Sequence, residues 1–391
     1  MRLARGEPGY CPYCYEEISQ QPFWFRCTGR MSRAGQRCAP EIDTVLRDRT
    51  GFGGALPPAF AADGRGDAAT CPQCRDETGI RICPVCHSRL PVHFGNVSSR
   101  MIVPVGAKEA GKTVFMTVLV HELMHQTGLR FNAAVTGADD YTRQRFTSEY
   151  ERPLYREAKL LPPTPAAAVR APLVFRFTTG SRRGARLGDP QRTLLSFFDT
   201  AGEDLRSQDS IEQNVRYLGA ADGVLLLLDP LQMRGARDLA APGTRLPTLG
   251  DEEPATVLEN VTDLLLASAG RKPNKRINRP LAIVFTKMDA LMHDLRQTSP
   301  LLRSPPQAGH FDERDSLEVH TEIQRLLARW DGTRIDQIAQ LNYRHYRYFG
   351  VSALGETPTP DNRVAARGIR PHRVASPILW ILAQFGIIPA K

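Results

Sequence analysis

Eight cysteines and one glycine-rich turn are the residues of this chain best placed to do chemistry. Gly106-Ala107-Lys108-Glu109-Ala110-Gly111-Lys112-Thr113 fits G-x-x-x-x-G-K-[ST] without a mismatch. A short apolar run, MIVPV, leads in, and TVFMTVLVHELM leads out. That context predicts a strand, a tight turn and a helix, with backbone N–H groups and the helix N-terminus facing phosphates. Lys112 would reach the β and γ phosphates, and the Thr113 hydroxyl would ligate magnesium.

Three further segments follow in order, each at the end of an expected strand. In LLSFFDTAG, Asp199 can hold the magnesium through water, and the Gly202 N–H can sense the γ phosphate. In LAIVFTKMD, Thr286, Lys287 and Asp289 follow an apolar run. A carboxylate there can accept from both the N1 and the exocyclic amine of guanine, a pairing adenine cannot offer. In YFGVSALG, Ser352 and Ala353 would close over the base. Taken singly, DTAG and SAL are ordinary strand-end turns; the linked order gives them weight.

The cysteines all lie between Cys11 and Cys86. Cys71 and Cys74, then Cys83 and Cys86, form two CxxC pairs; Cys11 and Cys14 form a third, followed by single Cys27 and Cys38. Eight thiolates make two tetrahedral sites of four, so about two zinc ions are expected. Cys71, Cys74, Cys83 and Cys86 are close enough in sequence to form one ribbon alone; alternatively Cys27 and Cys38 pair across with a later knuckle. His87 and His93 read as surface residues beside filled sites. His121-Glu-Leu-Met-His125 matches the zincin pattern HExxH, but it falls in the helix after the phosphate loop, which must pack on a sheet. A metalloprotease is therefore set aside.

The elements that must position these groups follow from apolar runs at 100–105, 173–178, 193–198, 223–228, 281–286 and 346–351, taken as strands. Helical stretches are expected at 112–126, 203–218, 254–268, 316–330 and 377–385. The alternation predicts an α/β fold with a mostly parallel sheet flanked by helices, with ligands at the carboxyl ends of strands. Two segments fit no simple unit: 127–170, with a helical piece at 139–160, and 229–252, read as an irregular loop. Residues 1–95 form the cysteine-rich zinc-binding segment, with a flexible linker at 49–70, and residues 96–391 the nucleotide domain.

At 391 residues, with 41% hydrophobic and 24% charged residues, the chain has the composition of a soluble protein, expected in the cytoplasm without a secretory signal or membrane span. The net charge of +9 is spread among interspersed acids. Its one cluster, Arg271, Lys272, Lys275, Arg276 and Arg279, reads as solvated surface, with an anionic partner as the alternative.

GAKEAGKT, DTAG, TKMD and SAL, in that order, resemble the phosphate, magnesium and base-recognition motifs of Ras-like P-loop GTPases of the translation-factor-related class. The resemblance spans residues 100 to 390. Cysteine pairs, then CPVCHSRLP, then the phosphate loop resemble the bacterial zinc-ribbon "double-GTPase" family. The resemblance implies GTP or GDP with magnesium, and a switch threonine ahead of the second strand. Thr164, in LPPTP, fits best; Thr142 and Thr147 read as surface polar residues. Three departures stand out: Thr286 replaces the usual Asn, Glu203 the usual water-orienting Gln, and Lys108 the usual Gly.

The expected function is a GTP-binding and GTP-hydrolysing switch, slow without a partner or self-association, with Lys112, Lys108 and Glu203 in catalysis. The zinc segment would be a docking module for a protein partner or second GTPase. A non-catalytic nucleotide-dependent scaffold and a nucleic-acid-binding ribbon under GTPase control are the alternatives.

Overall fold

The computed structural model describes residues 9–18, 21–62, 66–91, 94, 100–107, 109–162, 172–180, 191–197, 215–248, 253–268 and 276–391. Lys108, Thr164, Asp199, Gly202, Glu203, His93 and residues 271–275 lie outside them.

A seven-stranded sheet carries the C-terminal part. Its strands are β8 (Ile102–Gly106), β9 (Ala133–Gly137), β10 (Leu173–Thr179), β11 (Gln191–Phe197), β12 (Gly223–Leu228), β13 (Leu281–Phe285) and β14 (Tyr346–Gly350), in the order β14-β13-β12-β8-β11-β10-β9. β14, β13, β12, β8 and β11 run parallel, and β10 pairs antiparallel with both β11 and β9.

The central strands are continuous apolar runs because both faces are covered. Val224, Leu226 and Leu228 of β12 face one core, with Leu258 and Val261 of helix Pro254–Ser268 and Val319, Ile323 and Leu327 of helix Glu313–Arg329. Leu225 and Leu227 face the other, with Phe115, Val118 and Leu119 of helix Lys112–Glu122 and Ile378, Trp380 and Ile381 of helix Ser376–Gln384.

The expected strands stand at their places, and the helix expected over 203–218 is described, and helical, at 215–220. Several readings are corrected. The segment 127–170 carries its expected helical piece as two consecutive stretches, Asp140–Arg145 and the wider-turned Phe146–Arg156, and adds edge strand β9, which was not expected. Short helices at Pro230–Gln232 and Arg234–Arg237 occupy the expected loop 229–252. Thr142 is fully buried, its hydroxyl accepting from the Val174 amide at 3.2 Å, whereas Thr147 is exposed. Arg279 is not a solvated charge: it donates to the Leu218 and Gly219 carbonyls, both at 2.8 Å.

The N-terminal part folds around small sheets. β1 (Trp24–Arg26) pairs antiparallel with both β4 (Ala59–Ala61) and β7 (Arg81–Ile82); β2 (Glu41–Ile42) pairs with β3 (Ala55–Leu56), and β5 (Ala69–Thr70) with β6 (Glu77–Thr78). Parts of the expected linker 49–70 are thus built into sheet: β4 supplies a backbone partner for β1, β3 for β2, and β5 for β6.

Candidate functional site

The phosphate loop closes β8 and opens helix Lys112–Glu122, and its two glycines are there for different reasons. A Cβ on Gly106 would lie 2.4 Å from the Leu227 carbonyl oxygen of neighbouring β12. Gly111 sits at φ 77°, a backbone that L side chains rarely adopt. Glu109, with φ 61°, and buried Ala107 and Ala110 complete the turn. Among the described residues no side chain caps this helix start, a geometry that suits an anion at the helix N-terminus. Lys112 donates to the Gly106 carbonyl at 3.0 Å, folding its ammonium back over the loop where phosphates would lie. Thr113 is the next residue of the first turn.

The ends of β13 and β14 meet this loop. Buried Thr286 donates to the Ala110 carbonyl at 2.8 Å, tying the turn after β13 to the phosphate loop. This gives the departure from Asn a physical role: a short hydroxyl suffices to bridge the loops. Lys287, at φ 54°, reaches the Asp229 carboxylate at 2.6 Å. Asp229, at the end of β12, was missed by sequence reasoning; its signal was an acid closing the apolar run LLLLDP. It also caps the turn after it by accepting from the Leu231 amide at 2.9 Å.

Asp289 and Ser352 come together. The Ser352 hydroxyl donates to Asp289 at 2.6 Å and accepts from the Gly355 amide at 2.8 Å, so both are held in place, with Ala353 beside them. Burial raises the Asp289 carboxyl above its ordinary range, with the Ser352 hydrogen bond pulling the other way. Gly106, Lys112, Thr113, Thr286, Lys287, Asp289 and Ser352 thus gather at the carboxyl ends of the parallel strands β8, β13 and β14. Such an arrangement can cradle phosphates at one end and offer a carboxylate to a base at the other.

The cysteines form two sets of four whose sulfurs lie within 4.8 Å of one another: Cys11, Cys14, Cys83 and Cys86, and Cys27, Cys38, Cys71 and Cys74. The one-ribbon grouping of Cys71, Cys74, Cys83 and Cys86 is therefore corrected in favour of pairing across. β7 runs between the two later knuckles, so each faces a different partner. Sulfur separations are 3.8 Å for Cys11–Cys86 and Cys14–Cys83, 3.5 Å for Cys27–Cys74 and 3.7 Å for Cys38–Cys71. Zinc–sulfur bonds of about 2.3 Å at the tetrahedral angle place sulfurs about 3.8 Å apart, so the donor sets fit zinc. Each CxxC knuckle ends in a residue of positive φ: Tyr15, Arg75 and His87. His87 itself is a correction, being buried with Nδ1 2.9 Å from the Asp43 carboxylate. Burial raises the Asp43 carboxyl, but hydrogen bonds from the Leu46 amide, Arg26 and His87 outweigh it and hold it below its ordinary range.

The first cysteine set rests on the large sheet. Cys11, Cys83 and Cys86 share an apolar cluster with Val174 of β10 and Leu194 of β11. The Tyr13 hydroxyl donates to Asp139, Ser196 donates to the Pro12 carbonyl at 3.0 Å, and Arg216 pairs with Glu16 at 3.0 Å. Tyr15 meets Tyr217 edge to face, centroids 4.9 Å apart. Ser196 and Arg216 flank the segment that carries DTAG. No helix among the described residues is long and apolar enough to cross a membrane.

Comparison with known proteins places this geometry. The Double-GTPase 2 family matches residues 100–338. A protein of Mycolicibacterium smegmatis, described as a proposed ESX-1 scaffolding and assembly protein, SaeC, is 30% identical over 97% of this chain and 99% of its own length. Among solved structures, a signal recognition particle receptor SRb-GTP/SRX complex from Chaetomium thermophilum aligns at 14% identity, covering 68% of this chain and 95% of that one, with a TM-score of 0.31. The Arl6 BBS3 small GTPase from Trypanosoma brucei aligns at 12% identity over 74% and 98%, with a TM-score of 0.30. These last two superpositions are loose and carry no argument. With its phosphate loop and the strands around it inside the matched residues, this chain belongs to the Double-GTPase 2 family.

Proposed function

We propose that the protein is a GTP-binding and GTP-hydrolysing switch whose nucleotide state is read by a zinc-held N-terminal module that engages a protein partner. The observation that carries this reading is the Asp289–Ser352 pair at 2.6 Å, held at the same carboxyl-end side of the sheet as the phosphate loop. Asp289 would accept from guanine, Ser352 would fix its orientation, and Lys287 would lie along the base. Lys112 and the first-turn amides would take the phosphates, and Thr113 with Asp199 and Thr164 would hold magnesium. Catalysis is assigned to Lys112, Lys108 and Glu203, with positioning and charge stabilisation the main contributions in phosphoryl transfer.

Cys11, Cys14, Cys83 and Cys86 would hold one zinc, and Cys27, Cys38, Cys71 and Cys74 a second; each supplies folding energy to a part with little core of its own. The contacts of Glu16, Tyr15 and Pro12 support a coupling, because their partners Arg216, Tyr217 and Ser196 flank the segment 198–214 expected to follow the γ phosphate. The relative's description as a scaffolding and assembly protein favours a second reading, in which occupancy alone signals and turnover is negligible.

Single-turnover GTP hydrolysis over a protein concentration series separates the two. A slow rate that rises with concentration and is lost in Lys112→Ala supports the switch. No phosphate release at any concentration leaves the occupancy scaffold.

A further inference from the structure

The HExxH stretch set aside as part of a packing helix has a third member that sequence reasoning did not see. His121 and His125 lie one turn apart, their rings stacked with centroids 4.2 Å apart and planes 25° from parallel. Glu151 comes from the other helical stretch, Phe146–Arg156, and its carboxylate oxygen lies 2.9 Å from His121 Nδ1. One donor atom from each of the three falls within 4.8 Å of the others.

We propose that His121, His125 and Glu151 form a third metal site, which takes one divalent first-row transition ion such as zinc and is distinct from the cysteine sets and the nucleotide site. Two imidazoles and a carboxylate are a donor set that suits these ions, and it leaves coordination positions open to water.

Three features separate this arrangement from an ordinary surface ion pair. The His125 Nδ1 lies 2.9 Å from the His121 carbonyl oxygen, so Nδ1–H is donated to backbone and Nε2 keeps its lone pair. Fixing one ring nitrogen by a backbone carbonyl so that the other can ligate is how metal-binding histidines are oriented. On its other side His121 is stacked on Tyr155, centroids 3.8 Å apart, which limits ring rotation. The three side chains are also graded in access. His125 is exposed, and His121 and Glu151 are about three-quarters covered, so an ion can enter from solvent without unfolding either helix.

The site is not that of a peptidase. Glu122, the glutamate of the pattern, lines a cleft on another side of the helix with Gln126, Arg130, His310 and Arg373. An ion at this position would instead join two elements. The helix bearing His121 begins with Lys112 at the phosphate loop, about 13 Å away along its axis. The stretch bearing Glu151 packs Phe146, Tyr150 and Leu154 into the same core.

The test is calorimetric titration of Zn²⁺ into the full-length protein as purified, with its cysteine-bound metal in place. The wild type should take one further equivalent. His125→Ala, which removes an exposed side chain, and Glu151→Gln, which keeps the hydrogen bond to His121 but not the charge, should each weaken that binding at least tenfold. Their cysteine-bound zinc, by elemental analysis, and their thermal midpoints without added zinc should match the wild type. Zinc should raise the thermal midpoint of the wild type and leave that of His125→Ala unmoved. A wild type that takes no further ion, or variants that bind zinc as it does, overturns the proposal.

Discussion

Lys287 and Asp229 offer a sharp test of how the turn after β13 is held. The Asp229 carboxylate is 1% exposed and the Lys287 side chain 36% exposed, with 2.6 Å between them. Removing one partner of a fully buried pair costs about 3–5 kcal/mol, because the other charge is left uncompensated. Here the two ends are unequal. Lys287→Met keeps the length of the side chain and adds no new backbone strain at φ 54°, but leaves Asp229 buried and unpaired. Discounted for the solvent-open lysine end, the cost should be about 2–3 kcal/mol. Asp229→Asn keeps an oxygen for the Leu231 amide and frees an ammonium that water can reach, so about 1 kcal/mol is expected. The double variant should then be little worse than Asp229→Asn, a coupling of about 2 kcal/mol. Urea unfolding of the nucleotide-free protein reads all three, provided the slope with denaturant stays constant. If Lys287→Met costs no more than Asp229→Asn, or the double variant equals the sum, the turn is not held by this pair.

Other perturbations follow from the same geometry. Cys83→Ser should expose Cys11, Cys14 and Cys86 to alkylation, mapped by mass spectrometry, while Cys27, Cys38, Cys71 and Cys74 stay protected; labelling of Cys71 and Cys74 instead would restore the one-ribbon grouping. Gly106→Ala forces a Cβ to 2.4 Å from the Leu227 carbonyl, so β8 and β12 must part, costing about 1–3 kcal/mol of stability and weakening nucleotide binding. The guanine pairing proposed for Asp289 needs the ionised carboxylate, and burial raises its pKa above 3.8. GTP affinity should therefore be full at neutral pH and fall with acidification, starting at higher pH than an ordinary aspartate would give. Asp289→Asn should flatten that profile; a wild-type profile as flat as the variant's would contradict the assignment.

What the sequence made legible is what short-range chemistry fixes. GVLLLL and LAIVF are apolar runs closed by polar turns, and both became central strands covered on two faces. The phosphate loop could be read because its residue types recur at fixed spacing, with Gly111 answering a local backbone need; the close approach of Leu227 to Gly106 is a tertiary fact. β9 could not, since AAVTG is short, partly exposed and gains its place only from pairing with β10. Helix Thr333–Asn342 was hidden for a similar reason: it follows Glu313–Arg329 after a tight turn and buries only Ile335, Ile338 and Ala339. Cysteine spacing counts ligands but not partners, and the crossing set by β7 is a tertiary fact. The Glu151 contact to His121 and the Asp229 contact to Lys287 join residues 30 and 58 positions apart, beyond any local pattern.

Titration calorimetry of GTP and ATP, each with magnesium, against wild type and Asp289→Asn tests the central claim most directly. GTP should bind the wild type at least about tenfold more tightly than ATP, a difference of about 1.4 kcal/mol, and the variant should lose that preference. Equal affinity of the wild type for the two nucleotides, or binding of neither, would contradict a guanine-nucleotide switch.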